Sequence, residues 1–132
     1  MKKPKTLAKL KKELDKYFSL FIRQKYAVGE TLACYTCPHI GTVKTLHCGH
    51  FNPRQHLSTR WDERNCRPQC YVCNFHYNGQ PAIFANKLVK EYGPKILDEF
   101  EQAKWKITKY DHIWYEEEIN HYKKLSTQNS KN

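Results

Sequence analysis

The chain has no apolar run approaching the roughly 18 residues of a membrane span, and Met1-Lys2-Lys3 is not followed by the apolar core of a secretory signal. These absences argue against a membrane or exported protein and set the expectation of a cytoplasmic chain with reduced cysteines. Acidic residues are also scarce, with 13 Asp and Glu against 23 Lys and Arg, a formal charge of +10 spread along the chain rather than gathered in a tail. Such a balance points to a polyanionic partner, nucleic acid before an acidic membrane surface; an ordinary solvated basic surface is the alternative. No internal repeat and no low-complexity linker is present, so residues 1–132 are expected to form a single domain. At 39% hydrophobic residues that domain would have a modest core, to which a metal staple would matter.

What is present is a frame of two Cys-x-x-Cys pairs, Cys34/Cys37 and Cys70/Cys73, around a lone Gly49-His50. Two knuckles of this spacing supply four thiolates to one tetrahedral Zn²⁺. Three disulfides are the competing use of six cysteines, but the paired spacing and the missing secretion signal favour metal. The interval between the knuckles exceeds that of a simple zinc ribbon, so the metal is expected to clamp an inserted hairpin that carries His50. Cys48 and Cys66 are left over. They are read as buried small hydrophobes, with one of them replacing a ligand in a second site as the other possibility.

Around this frame, Lys5 to about residue 25 reads as an amphipathic helix, with Leu7, Leu10, Leu14, Tyr17, Phe18, Phe21 and Ile22 at helical spacing and lysines on the other face. Its expected role is to cover the zinc core, a dimer contact or a basic strip along DNA being the alternatives. Thr42 to Leu46 is β-branched and predicts a strand that delivers His50 near its end. Arg54 to Trp61 reads as a polar basic loop, and a helix is expected from about Pro81 to Tyr92, stopped by Gly93-Pro94. A further helix over Lys95 to Lys106 and a third from a Thr108-x-x-Asp111 cap to about Leu125 would follow, with their aromatics read as core and residues 126–132 as a frayed tail. The fold class expected is α+β: a zinc-stapled hairpin-and-helix core over residues 31–92 with helices on either side.

Gly49-His50-Phe51, Thr59-Arg60-Trp61-Asp62-Glu63-Arg64-Asn65, Gln69-Cys70-x-x-Cys73-Asn74 and Gly79, in that order, resemble the phage NinG/Rap recombination endonucleases, a branch of the HNH or ββα-metal nucleases. The likeness extends to the basic N-terminal helix and Leu88-x-x-x-Tyr92-Gly93, covering most of residues 7–100. It implies a phage protein acting in the bacterial cytoplasm, a Mg²⁺- or Mn²⁺-dependent DNA endonuclease that cuts branched recombination intermediates such as Holliday junctions, D-loops or Y-forks.

The chemistry runs beside that resemblance. Phosphodiester hydrolysis needs an activated water, charge stabilisation at the phosphate and a stabilised leaving oxygen, and His50 suits the general base. By resemblance Asn65 is the middle Asn of the motif, which pins the hairpin and orients the His, a plain turn residue being the alternative. Asn74 occupies the place of the third His; its carbonyl oxygen suits Mg²⁺, and a helix N-cap is the alternative. Many such nucleases carry an Asp or His ligand just before the base, and here that position is Gly49. His47, His56, Asp62, His76 and Asn78 are candidates for the second metal ligand, His56 and Asp62 preferred because they lie in or beside a shared block. Arg54, Arg60, Arg64 and Arg67 are expected to grip phosphates, or else to be an ordinary basic loop. Symmetric cutting of a junction would require a homodimer. The competing function is a zinc-stabilised DNA-binding module without catalysis.

Overall fold

A computed structural model describes residues 3–130, with side chains to residue 127; residues 131 and 132 of the expected tail lie outside the described residues. Helix α1 (Leu7–Tyr26) starts where the Thr6 hydroxyl accepts the Lys9 amide at 3.2 Å, satisfying one of the donors that a helix start leaves free. Leu10, Leu14, Phe18 and Ile22 recur every four residues along one face and are all buried. Each such side chain contributes about 1.5–3 kcal/mol of transfer free energy.

What covers most of that stripe is the last helix, α5 (His112–Ser130), while Trp61 and Cys66 from the cysteine-rich segment close the rest of the same core. Phe18 meets Tyr122 edge-on at 5.0 Å, Phe21 meets it at 5.3 Å, and Tyr115 and Ile119 complete the same core. The apolar face that the sequence offered for a dimer is thus occupied within the chain. The helix starts at His112, so Asp111 rather than Thr108 caps it, accepting the Trp114 amide at 2.8 Å, and it runs on through Ser130, past the end expected near Leu125. Ser126, the first residue of the expected tail, is buried.

Between these helices lie two small antiparallel sheets, which with the helices make the mixed α+β class. Strand β1 (Leu32–Ala33) pairs with β2 (Ile40–Gly41) around the first knuckle, and β3 (His47–His50) pairs with β4 (Cys66–Gln69). The strand expected over Thr42–Leu46 is instead a turn. Thr45 Oγ1 accepts the Thr42 amide at 2.8 Å, and Thr42 O accepts the Thr45 and Leu46 amides at 3.1 Å. Threonine hydroxyls here satisfy the backbone locally and outcompete a ladder. His50 still ends a strand, the one that begins at His47.

The segment joining β3 to β4 contains the short helix α2 (Leu57–Arg60), where a loop was expected, and a 3₁₀ turn over Glu63–Asn65. After β4 a π-helical turn (Val72–His76) and a left-handed stretch at Asn78, Gly79 and Gln80 lead into α3 (Pro81–Tyr92). Helix α3 and α4 (Lys95–Lys104) then form a second core, with Phe84, Leu88, Ile96 and Phe100 buried at its centre.

Candidate functional site

The four knuckle cysteines converge. Cys34, Cys37, Cys70 and Cys73 place their sulfurs within 4.8 Å of one another, and the Cys37 and Cys70 sulfurs are 3.6 Å apart. Zinc–sulfur bonds of about 2.3 Å in a tetrahedron require sulfur separations near 3.8 Å, so the cluster can hold a zinc ion. Backbone amides already face the sulfurs: Cys70 N lies 3.3 Å from Cys34 Sγ, His39 N 3.4 Å from Cys37 Sγ and Cys73 N 3.5 Å from Cys70 Sγ. Such donors stabilise thiolates and orient them for a metal. Burial pushes the Cys34 thiol up, but the Cys70 and Thr36 amides and the Thr36 hydroxyl outweigh it and bring the group down to about 7. Burial and the neighbouring thiols push Cys37 up to about 12, because without a cation the four cannot all ionise.

The knuckles fix the β3–β4 hairpin from its open end. Tyr35 N donates to Pro68 O at 2.9 Å, tying the first knuckle to β4, and Cys70 follows β4 directly. At the other end of β3, His50 sits with its Nε2 2.8 Å from the carbonyl oxygen of Arg60. A carbonyl can only accept, so Nε2 carries the hydrogen and Nδ1 keeps the free lone pair of a base. Burial, followed by the charges of Arg54 and Arg60, lowers the His50 pKa against the opposing Arg60 hydrogen bond and Asp15 charge. The imidazole is therefore neutral at pH 7.

Asn65 is fully buried. Its Oδ1 accepts the Asn52 amide at 2.7 Å and its Nδ2 donates to Asn52 O at 3.1 Å and Thr59 O at 3.0 Å. It thereby holds the peptide segment whose next carbonyl, that of Arg60, orients His50. Asn65 has no atom left for a substrate, so its part is positioning.

His50 opens on a cleft of about 690 Å³, whose wall Asn74 and Asn78 share. Asn74 lies inside the π-helical turn rather than at a helix start, and α3 is entered through Gln80, so the N-cap explanation of Asn74 does not apply. Five cations, Lys12, Lys16, Arg23, Lys44 and Arg54, line the cleft against the single carboxylate of Asp15. A concave surface of one sign focuses its field on a polyanion.

Gly49 is explained by packing. A Cβ there would lie 1.8 Å from Gln69 Oε1, and the Gln69 side chain is locked by donating to Thr36 Oγ1 at 3.0 Å and to Gly79 O at 2.8 Å. No side chain at position 49 can reach a metal while Gln69 stands.

Several expected site residues are elsewhere. His56 precedes α2 and Asp62 caps the 3₁₀ turn through the Arg64 amide at 3.0 Å; neither lines the cleft, and neither does His76. Of the four arginines only Arg54 lines it. Arg60 grips Asp15 with two bonds, at 3.1 and 2.6 Å, and lies over the Trp61 ring. Arg64 pairs with Asp62 and, at 2.9 Å, with Glu99. Arg67 is 1% exposed, bound to Glu91, the Tyr92 hydroxyl and two carbonyls, with the Tyr26, Tyr35 and Tyr92 rings around it. It is a structural cation with no surface to offer phosphate.

Asp15 was not among the residues singled out in the sequence. It takes Arg54, Arg60 and the Trp61 indole N–H at 2.9 Å together, tying α1 to the segment that holds His50. One of only two carboxylates in a lysine-rich helix, beside Glu13, is its signal in the sequence, and a weak one. Burial raises its pKa, but the Arg60 and Arg54 contacts outweigh that and hold it below the usual carboxylate range.

Fold and site together define a mixed α+β domain with a tetrathiolate cluster that fits zinc, beside a basic cleft containing a neutral imidazole. The sequence matches the family described as bacteriophage Lambda NinG protein over residues 1–132, and the chain belongs to that family. Among curated relatives it is similar to protein ninG of Escherichia phage 933W and of Salmonella phage P22, each 30% identical over 93 residues, and to that of Escherichia phage lambda, 29% identical over 93 residues. The alignments cover 68% of this chain and 43% of each relative, so the chain spans less than half the length of the curated proteins it matches. No solved structure matches. No helix among the described residues is long and apolar enough to cross a membrane.

Proposed function

We propose that this protein is a metal-dependent DNA endonuclease of the HNH type, selective for branched recombination intermediates. The observation that carries the reading is His50: a neutral imidazole, its Nε2–H tied to the Arg60 carbonyl, opening on a cleft lined by five cations. The order of strand β3 ending in His50, Asn65 before strand β4, then Asn74 in the turn before a helix, supports an HNH-like core. The resemblance to recombination endonucleases supplies the branched substrate.

On this reading the cleft cations hold the phosphate backbone, and His50 Nδ1 accepts the proton of the attacking water. Asn65 acts through the Thr59–Arg60 segment to keep the ring aimed. The cleft offers the amide oxygens of Asn74 and Asn78, which together with a substrate phosphate suit a hard ion such as Mg²⁺ or Mn²⁺. When bound, that ion stabilises charge on the scissile phosphate and the departing 3′ oxygen. The products would be 5′-phosphate and 3′-hydroxyl ends. A homodimer cutting a junction symmetrically would have to meet through a surface other than the apolar face of α1, which α5 covers.

The test is cleavage of a matched panel of linear, forked and four-way DNA by protein carrying one equivalent of zinc, with and without Mg²⁺ or Mn²⁺. Branched DNA should be nicked only with metal, and His50→Ala should lose about 10²–10⁴-fold in rate while binding DNA within a few-fold of the parent. Binding without cleavage of any substrate would leave a zinc-stabilised DNA-binding module. His50→Ala cutting at the parental rate would remove the base.

A further inference from the structure

The two cysteines outside the knuckles do not sit apart from the cleft. In the β3–β4 register His50 lies directly opposite Cys66, and Cys48, two residues earlier on β3, shares the face of His50. As a result Cys48 Sγ, Cys66 Sγ and an imidazole nitrogen of His50 all lie within 4.8 Å of one another. Cys66 is completely buried beneath the other two, while Cys48 and His50 open on the cleft. Two thiols and an imidazole are the donor set of a borderline-soft ion, and zinc at three such ligands keeps a fourth position open.

We propose that Cys48, His50 and Cys66 form a second metal site, which takes Zn²⁺ through two thiolates and one imidazole and by doing so withdraws His50 from the cleft chemistry. Ligand separations of about 3.3–3.8 Å follow from ordinary Zn–N and Zn–S bonds, so the side chains need close by no more than about 1.5 Å. The strand pairing already fixes their backbones. Binding releases the two thiol protons to solvent, and the guanidinium of Arg23, held to the carbonyls of Ser19 and Val43, contributes positive charge beside Cys48. Whichever ring nitrogen the ion takes, the base is lost: capture of Nδ1 occupies its lone pair, and capture of Nε2 breaks the bond to Arg60 O that orients the ring. Because Cys48 and His50 line the cleft, a water or an anionic oxygen from it can complete the shell. Mg²⁺, which prefers oxygen, does not compete for this set. Only the inhibitory consequence rests on the reading of His50 as base; the site itself does not.

The experiment uses the full chain, reduced with a phosphine and carrying one equivalent of zinc. Zinc outranks cobalt in affinity, so added Co²⁺ leaves the four-cysteine cluster intact and reports a second site. Wild type should bind one further equivalent of Co²⁺ with a thiolate-to-cobalt charge-transfer absorption. Cys48→Ser, a substitution at a partly exposed position, should lose that absorption while melting as the parent does. In parallel, a second equivalent of Zn²⁺ should suppress Mg²⁺-dependent cleavage by wild type by about the 10²–10⁴-fold that a general base contributes. Cys48→Ser should relieve the suppression. Reduced wild type that binds one metal in all, or a second equivalent that survives Cys48→Ser, overturns the site. A second ion bound without loss of cleavage overturns the coupling to His50. Absence of cleavage under every condition would refute the endonuclease reading, while the cobalt spectrum would still uphold the site.

Discussion

Replacing Asp15 with Asn tests whether a carboxylate on the first helix organises the segment that aims His50. Asp15 and Arg60 are each mostly buried, at 18% and 15% side-chain exposure, and share two hydrogen bonds, while Trp61 donates to the same carboxylate. Asn keeps one acceptor oxygen for the indole but leaves the Arg60 guanidinium without its counter-charge. Breaking a fully buried pair costs about 3–5 kcal/mol, and residual solvent at this site brings the expected cost to about 2 kcal/mol. The Arg54 contact, with the arginine 59% exposed, adds little. The control is Glu13→Gln, which removes a pair with Lys5 that is 59% exposed on the lysine side and should cost less than about 0.5 kcal/mol. Urea unfolding of zinc-replete proteins at pH 7 measures both, and the Asp15 variant should also lose activity in the cleavage assay beyond its loss of stability. If Asp15→Asn proves no more costly than Glu13→Gln and leaves the DNA assays unchanged, the carboxylate does not organise the site.

Stripping zinc with a chelator, or changing Cys70 to Ser, should abolish the cooperative unfolding transition of the β3–β4 region, since binding and folding share one free energy in such sites; circular dichroism and elemental analysis report it. Lys12→Ala and Lys16→Ala should each reduce the salt dependence of DNA binding by about one phosphate contact, whereas Arg67→Ala should leave that slope alone and instead cost about 3 kcal/mol of stability. The pH profile of cleavage should stay flat down to about 6.5, the ordinary histidine value, and fall only below it, because burial and two nearby guanidiniums lower the folded pKa of His50 and the neutral form persists until pH passes through that lowered value. A profile that declines from pH 8 would contradict the burial of the ring.

The cysteine cluster and the position of His50 at a strand end were legible because they rest on local spacing: Cys-x-x-Cys makes a knuckle whatever surrounds it. The stop of α3 was legible for the same reason, at Gly93, whose φ of +90° suits glycine. What covers a helix is a long-range matter, and the face of α1 gave no sign that it would pair with α5 some hundred residues later. Neither could spacing separate Arg54, on the cleft, from Arg67, buried among three tyrosines, since both sit in the same basic stretch. His56 and Asp62 failed as cleft residues for a related reason: helix α2 and the 3₁₀ turn, invisible as periodicity over so few residues, carry them away from it.

The side chain lying over Gly49 bears on how this site can change. An Asp at position 49, the residue that many ββα-metal nucleases place before the base, would collide with Gln69 at once. Removing Gln69 first would strip the buried Thr36 hydroxyl and the Gly79 carbonyl of their partner before anything replaced it. Either single step passes through a poorer protein, and only the double change, a small residue at 69 with a carboxylate at 49, makes room for the new ligand. Positions 49 and 69 therefore act as a two-key lock, and a library that varies them separately would not find the combination that opens it.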